Sequence, residues 1–279
     1  MAERVTDVGF IGLGDQGGPM ATAIAEAGFT LHVWARRAAS LRVLADVPHV
    51  VHDTLADLGT ACQVVGICVS TDEDVQSVLD GGLLAKLRPG SVVVNHGTGV
   101  PSFAAHLTGK CAEVGVDVLD APVSGAHAAA VARTSTTMVG GDEAVAERCA
   151  PIFEAWSSQV RYMGPTGSGQ LAKLFNNALM MMNQANIEEV VAVADGLVMD
   201  VPALVELLKV GSATSFTLSA LNDAITVDNA GHLREVELLD MKLFAAAMAE
   251  RDVDAEAVTG RGVSGAEGLV DLITRVNPR

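Results

Sequence analysis

The chain has 279 residues, 49% hydrophobic and 19% charged, with aromatics at only 4%. Length and apolar content suit one large or two ordinary domains, and the dominance of small apolar side chains points to an α/β or helical protein rather than a sandwich or barrel. The formal net charge of -16 disfavours nucleic acid and anionic membrane as partners and leaves a small molecule as the expected ligand.

Cys62, Cys68, Cys111 and Cys149 are too sparse for a disulfide scaffold and lack metal-site spacing. They read as small buried apolar residues, and no metal is expected. The stretch MAERVTDVGFIGLG is acidic and reaches glycines at once, unlike a signal peptide. No apolar run approaches the roughly 18 residues of a membrane span, so a cytoplasmic protein is expected.

In chain order, strand-like runs fall at VGFIG (8–12), LHVW (31–34), VVGICV (64–69), SVVVN (91–95) and VDVLDAPV (116–123). Being apolar on both faces, they suit a parallel sheet covered by helices on each side. Segments with helical spacing lie between them, such as GGPMATAIAEAG and TDEDVQSVLDGGLLAKL. The alternation predicts an α/β, doubly wound Rossmann sheet over residues 1–164.

Within the first unit sits Gly12-Leu13-Gly14-Asp15-Gln16-Gly17, after a strand and opening a helix. In that context the spacing has a mechanism. Gly12 permits the tight turn, Gly14 lets backbone approach a pyrophosphate, and Gly17 allows close helix–strand packing. The helix N-terminus offers unpaired N–H groups to phosphate. At the end of the second run, where an NAD site wants a carboxylate, stand Arg36 and Arg37. Two guanidiniums there suit a 2′-phosphate, so NADP is expected over NAD. Val69, closing the third run, is also placed against the cofactor; the plain alternative for WARR is a solvated basic turn.

After RYMGPTGSG the pattern becomes helical, and an all-α domain is expected over 165–279, opening with one long helix from Gln170 to Met199. Further helices are read in VPALVELLKV and REVELLDMKLFAAAMAE, and GRGVSGAEG (260–268) is read as a flexible turn before a short terminal helix.

GFIGLGDQGGPMA, VWARR, DAPVSGA with TMVGG, and GxGxxxKxxNN, in that order, together resemble the β-hydroxyacid dehydrogenase family. That family includes 3-hydroxyisobutyrate dehydrogenases and tartronate semialdehyde reductases and is related to 6-phosphogluconate dehydrogenases. The resemblance implies that Lys173 is the catalytic acid/base and that Asn177 orients the substrate. It implies that Ser124 and Gly125, with Ala126 and His127 following, hold the substrate's carboxylate, and that Thr98 lies beside the nicotinamide. It further implies a homodimer or homotetramer. Lys173 and Asn177 stand four residues apart, on one face of a helix. An ammonium there stabilises charge developing on oxygen and exchanges its proton.

The chain departs from the family pattern at several points. Ala126 replaces the second glycine of Ser-Gly-Gly, Gly97 replaces a serine before Thr98, and Leu239 replaces the lysine before Asp240. His96 and His127 are candidate pocket residues. The expected activity is an NADP-dependent interconversion of a small hydroxy acid with its oxo acid or semialdehyde. Two alternatives stand beside it: an imine reductase-like enzyme, against which Lys173 argues, and a catalytically silent NADPH-binding regulatory or scaffold protein.

Overall fold

A computed structural model describes residues 5–277. The chain opens with β1 (Asp7–Ile11), α1 (Gly17–Glu26), β2 (Thr30–Trp34), β3 (Val50–Val51) and α2 (Leu55–Ala61). It continues through β4 (Val64–Ile67), α3 (Asp72–Val78), β5 (Val92–Asn95), α4 (Pro101–Ala112) and β6 (Asp117–Asp120). Then come β7 (Val123–Ser124), α5 (Ala126–Ala132), β8 (Ser135–Gly140), α6 (Glu143–Phe153) and β9 (Ser157–Gly164). The helices α7 (Ser168–Gly196), α8 (Val201–Val210), α9 (Phe216–Ala220), α10 (Ala230–Ala249) and α11 (Glu256–Val276) complete it.

The sheet runs β3-β2-β1-β4-β5-β6 in parallel register, the strand order of a dinucleotide-binding fold. Its strands follow from their alternation. Val8 and Phe10 of β1 and Val92 and Val94 of β5 enter one hydrophobic cluster, while Ile11 and Val93 enter the other. The first cluster is closed by Met20 and Ile24 of α1 and by Ile152 and Phe153 of α6. The second is closed by Leu58 of α2, Val75 of α3 and Leu107 of α4. Both faces are thus dry, as double-sided apolar strands require. Side-chain caps set several helix starts: Thr54, Thr71 and Asp142 accept the N–H of Asp57, Asp74 and Val145.

Beyond β6 the sheet changes sense. The run 116–123, read as one strand, divides at Ala121-Pro122: β6 ends at Asp120, and β7 pairs antiparallel with β8. Pro122 has no N–H to offer a ladder, which explains the break. β8 pairs antiparallel with β6 and parallel with β9. The compact units divide after Lys173, inside α7, so the first turns of that helix belong with the sheet.

The second unit is helical, as expected, and its core joins Val191 of α7, Val205 of α8, Leu218 of α9 and Leu269, Leu272 and Ile273 of α11. One expectation fails here: GRGVSGAEG is not a turn but the middle of α11. Its glycines serve close helix approach. A Cβ at Gly265 would run into the Met181 carbonyl, and one at Gly262 would lie 2.6 Å from the Met241 sulfur. Gly260 meets nothing within 4 Å.

These surroundings predict opposite signs for one substitution on one helix. Gly260→Ala should raise stability by up to about 1 kcal/mol through lost unfolded-chain freedom. Gly265→Ala should lower it by about 1–3 kcal/mol, because backbone must move. Denaturant melts of the two variants check this, and equal shifts would refute the packing account.

Candidate functional site

The first helix begins without a side-chain cap, since Gln16 at its N-cap makes no such hydrogen bond. Gly12 has φ 94°, a region costly for any residue with a side chain, and a Cβ there would strike the Cys68 carbonyl. A Cβ on Gly17 would strike the Gly12 carbonyl, whereas one on Gly14 would meet nothing within 4 Å. Gly12 and Gly17 therefore serve the turn and the packing, and Gly14 opens onto space through which a phosphate can approach. α1 carries no acidic residue in its first turn, which leaves its positive end open to an anion.

A cavity of about 270 Å³ begins at this loop. Gly12, Leu13, Gly14, Arg36, Arg37 and Val69 all line it, so most of the cofactor residues read from sequence come together. Asp15, Gln16, Gly17 and Thr98 are not among its lining residues. Asp74, at the start of α3, also faces it and holds an oxygen 3.8 Å from the Arg36 guanidinium. No spacing rule points to Asp74, which enters only through the fold. The cradle, the helix end and the two arginines together fit the phosphates of a dinucleotide.

Beside the cradle lie the loops after β5 and β6. Asn95, closing β5, accepts the Gly97 N–H through its side chain at 3.0 Å. A Cβ at Gly97 would sit 2.7 Å from the Val69 carbonyl, which accounts for glycine in place of serine there. Asp72 accepts the Val100 N–H at 3.1 Å, and burial raises its carboxyl to about 6. His96 is no pocket wall. Its ring is buried among Phe10, Phe153 and Trp156, and its Nδ1–H donates to the Ala121 carbonyl at 2.9 Å. Burial lowers it to about 4 against that hydrogen bond, so it is neutral.

Ser124 ends β7, half-buried, and Gly125 follows at φ 123°. Ala126 itself has φ 56°, the left-handed region a glycine enters freely and an alanine enters at a cost of roughly 1–2 kcal/mol. The family's glycine at this position is therefore explained by backbone, and this chain keeps the backbone without the glycine. His127 is exposed and donates from Nδ1 to the Asp15 carbonyl at 2.7 Å, tying this loop to the glycine loop.

The start of α7 is the best-anchored element in this region. Asp120, 1% exposed, accepts the N–H groups of Gly167 and Gln170, each at 2.8 Å. Burial raises its carboxyl, and the backbone donors oppose that shift. One helical turn beyond Gln170 stands Lys173, half-buried. Asn177, on the same helix, is buried within the helical unit, where its Nδ2 donates to Asp240 at 2.7 Å and its Oδ1 accepts from Asn176 at 3.0 Å. Next along the same two helices Gln184 donates to Glu237, whose carboxyl burial raises to about 7. Asp120, Gln170 and Asp240 were not singled out as site residues from sequence. Asp120 does carry a signal, being a charged residue at the end of an apolar strand run.

Residues 7–164 match the family model described as the NAD-binding domain of 6-phosphogluconate dehydrogenase. The chain belongs to this dehydrogenase family. It is 34% identical over 219 residues to an NAD-dependent L-serine dehydrogenase of Pseudomonas aeruginosa, covering 77% of this chain and 73% of that one. It is 29% identical to a probable 3-hydroxyisobutyrate dehydrogenase-like protein of Arabidopsis thaliana, over 98% of this chain and 95% of that one. A solved 3-hydroxyisobutyrate dehydrogenase of Mycobacterium tuberculosis, with L-serine, superposes at a TM-score of 0.84. It is 23% identical, covers 98% of each chain, and shares the fold. The chain is thus a hydroxyacid dehydrogenase-like oxidoreductase with an NAD(P)-binding domain. Among the described residues no helix is long and apolar enough to cross a membrane, and no His, Cys, Asp and Glu cluster suits a metal ion.

Asp72 gives this region a pH signature. Its folded value near 6 lies above the ordinary carboxylate value, so the folded state binds the proton more tightly. Its contribution to stability is full below about pH 4 and is lost as pH rises through about 6. Asp72→Asn keeps an acceptor for the Val100 N–H and removes the titration. The stability difference between variant and wild type should therefore move in the variant's favour from pH 4 to pH 7 in denaturant melts; a flat difference would refute the burial account.

Proposed function

We propose that the protein is an NADP-linked oxidoreductase that interconverts a small, carboxylate-bearing hydroxy acid with its oxo acid or semialdehyde. The observation that carries this reading is the Asp120-anchored start of α7, which holds Lys173 in the same compact unit as the phosphate cradle. When bound, the nicotinamide supplies hydride transfer. Lys173 Nζ takes the hydroxyl proton as the carbon is oxidised and returns it in the reductive direction. As an ammonium it also stabilises charge on that oxygen.

In this reading the Ser124 hydroxyl and the Gly125 N–H hold the carboxylate, with Ala126 and His127 beside them and Asn177 orienting the substrate from its hydrogen bond with Asp240. L-Serine and 3-hydroxyisobutyrate, named for the relatives, are both 3-hydroxy carboxylates, which supports that substrate class. Arg36 and Arg37 on the cavity wall support NADP over NAD. Phe175, Leu179, Val190, Val193 and Leu197 stay exposed at helical spacing along α7 and its end, which supports a homodimer or homotetramer built on that helix. A cytoplasmic location accords with the chemistry.

Lys173→Ala should lower turnover of the best hydroxy acid by about 10²- to 10⁴-fold while cofactor affinity holds, as read by steady-state kinetics and dinucleotide titration. Unchanged turnover would overturn the mechanism. Arg36→Ala should weaken NADP binding by about tenfold or more, the size of a charged hydrogen bond, and leave NAD within a factor of about two. Calorimetric titration with both dinucleotides checks it, and equal losses would remove the basis for NADP preference.

A further inference from the structure

Gln170 is 1% exposed, and both polar atoms of its side chain are hydrogen-bonded. Its N–H donates to Asp120 at 2.8 Å. Its side-chain oxygen accepts the Gly99 N–H at 2.9 Å, and its Nε2 donates to the Gly97 carbonyl at 2.7 Å. Gly97 and Gly99 flank Thr98, so one amide side chain grips the backbone on both sides of that residue. A second side chain constrains the same turn from the strand: Asn95 takes the Gly97 N–H. Asp72 closes it beyond, through Val100. The turn has little room to relax, because a Cβ at Gly99 would meet the Asp72 carboxylate and one at Gly97 the Val69 carbonyl.

Gln170 also stands three residues before Lys173, on the same side of α7. The amide thus joins two parts at a fixed offset: the helix turn that carries the lysine and the turn that carries Thr98. We propose that Gln170 is a positioning residue that sets the Thr98 turn for the nicotinamide half of the dinucleotide and holds it in register with Lys173. This rests on the reading above that Thr98 lies beside the nicotinamide. A purely structural glutamine would affect folding and every ligand alike. A positioning glutamine acts on one half of the cofactor, because the cavity at Gly12, Gly14, Arg36 and Arg37 does not include the Thr98 turn.

The test compares whole dinucleotides with their adenosine halves on the full-length protein: NADPH against adenosine 2′,5′-bisphosphate, and NADH against ADP. Gln170→Met keeps the volume and removes both side-chain hydrogen bonds. It should weaken the better-bound dinucleotide about tenfold and leave its adenosine half within a factor of about two, the loss expected from hydrogen bonds that place rather than bind. Gln170→Glu keeps the acceptor for Gly99 and loses the donor to Gly97, and it serves if the methionine variant does not fold. It should show the same split, at least as large, because the carboxylate sets an acceptor against the Gly97 carbonyl. Parallel losses of dinucleotide and half, or no loss of either, would overturn the proposal while leaving dinucleotide binding intact. A wild-type protein that binds none of the four ligands would sink the cofactor reading, and this proposal with it.

Discussion

A single buried carboxylate organises the business end of the sheet. Asp120 ends β6, where the sheet first turns to antiparallel pairing, and it accepts two N–H groups from the segment that opens α7. A carboxylate this deeply buried is costly unless every lone pair is used and positive potential is near. A helix N-terminus provides both, since its first N–H groups lack internal partners and its dipole is positive there. The arrangement constrains its neighbours in turn. A Cβ on Gly140 would lie 2.7 Å from the Asp120 carboxylate, and one on Gly169 would lie 2.5 Å from the Met138 carbonyl. Glycines at both places let strand, turn and helix close on one acid.

From that anchor the other site features follow by short steps. Gln170, whose N–H Asp120 fixes, reaches the turn after β5; that turn abuts Val69 through Gly97, and Val69 lines the cavity that begins at Gly12. On the other side His127 connects the loop after β7 to Asp15. Loops after four strands, β1, β4, β5 and β7, are therefore coupled by side-chain-to-backbone hydrogen bonds and close glycine packing. This is where an open α/β sheet places its ligand, at the carboxyl ends of the strands. Ala126 shows how firmly the backbone is imposed: it stays at a positive φ although its side chain disfavours that region.

The parts legible from sequence are those whose physics is local. Dry strands announce themselves by apolar residues on both faces, and the glycine loop by its place between strand and helix. β9 lacks that signal because most of its residues are exposed, and β3 because both of its residues are exposed. β8 begins with Ser135, Thr136 and Thr137, and the buried Thr137 hydroxyl is satisfied by Ser157 and Trp156 across chain distances no local pattern carries. α11 runs through a glycine-rich stretch that locally looks like a breaker, because Gly262 is selected by its contact with α10 and Gly265 by its contact with α7. The roles of Asp120 and Gln170 are not legible locally for a related reason. Each lies inside a recognised motif, yet its role depends on a partner at least 47 residues away.

Electrostatics complete the account of how so acidic a chain accommodates an anionic cofactor. The net charge of -16 sets a repulsive background that salt screens within about 8–10 Å, so what matters at the cavity is the nearest charge. There the Arg36 guanidinium meets Asp74 at 3.8 Å, with its side chain 80% exposed. An exposed pair of this kind contributes roughly 0–1 kcal/mol and is easily exchanged. A phosphate, with more charge and several acceptor oxygens, outcompetes one carboxylate for a planar guanidinium. A ribose hydroxyl, being neutral, does not. On the NADP reading Asp74 is only a weak competitor for Arg36, one that a 2′-phosphate would displace. On that reading the cofactor choice would rest on a local contest at Arg36 and Arg37, one the overall charge of the chain does not decide.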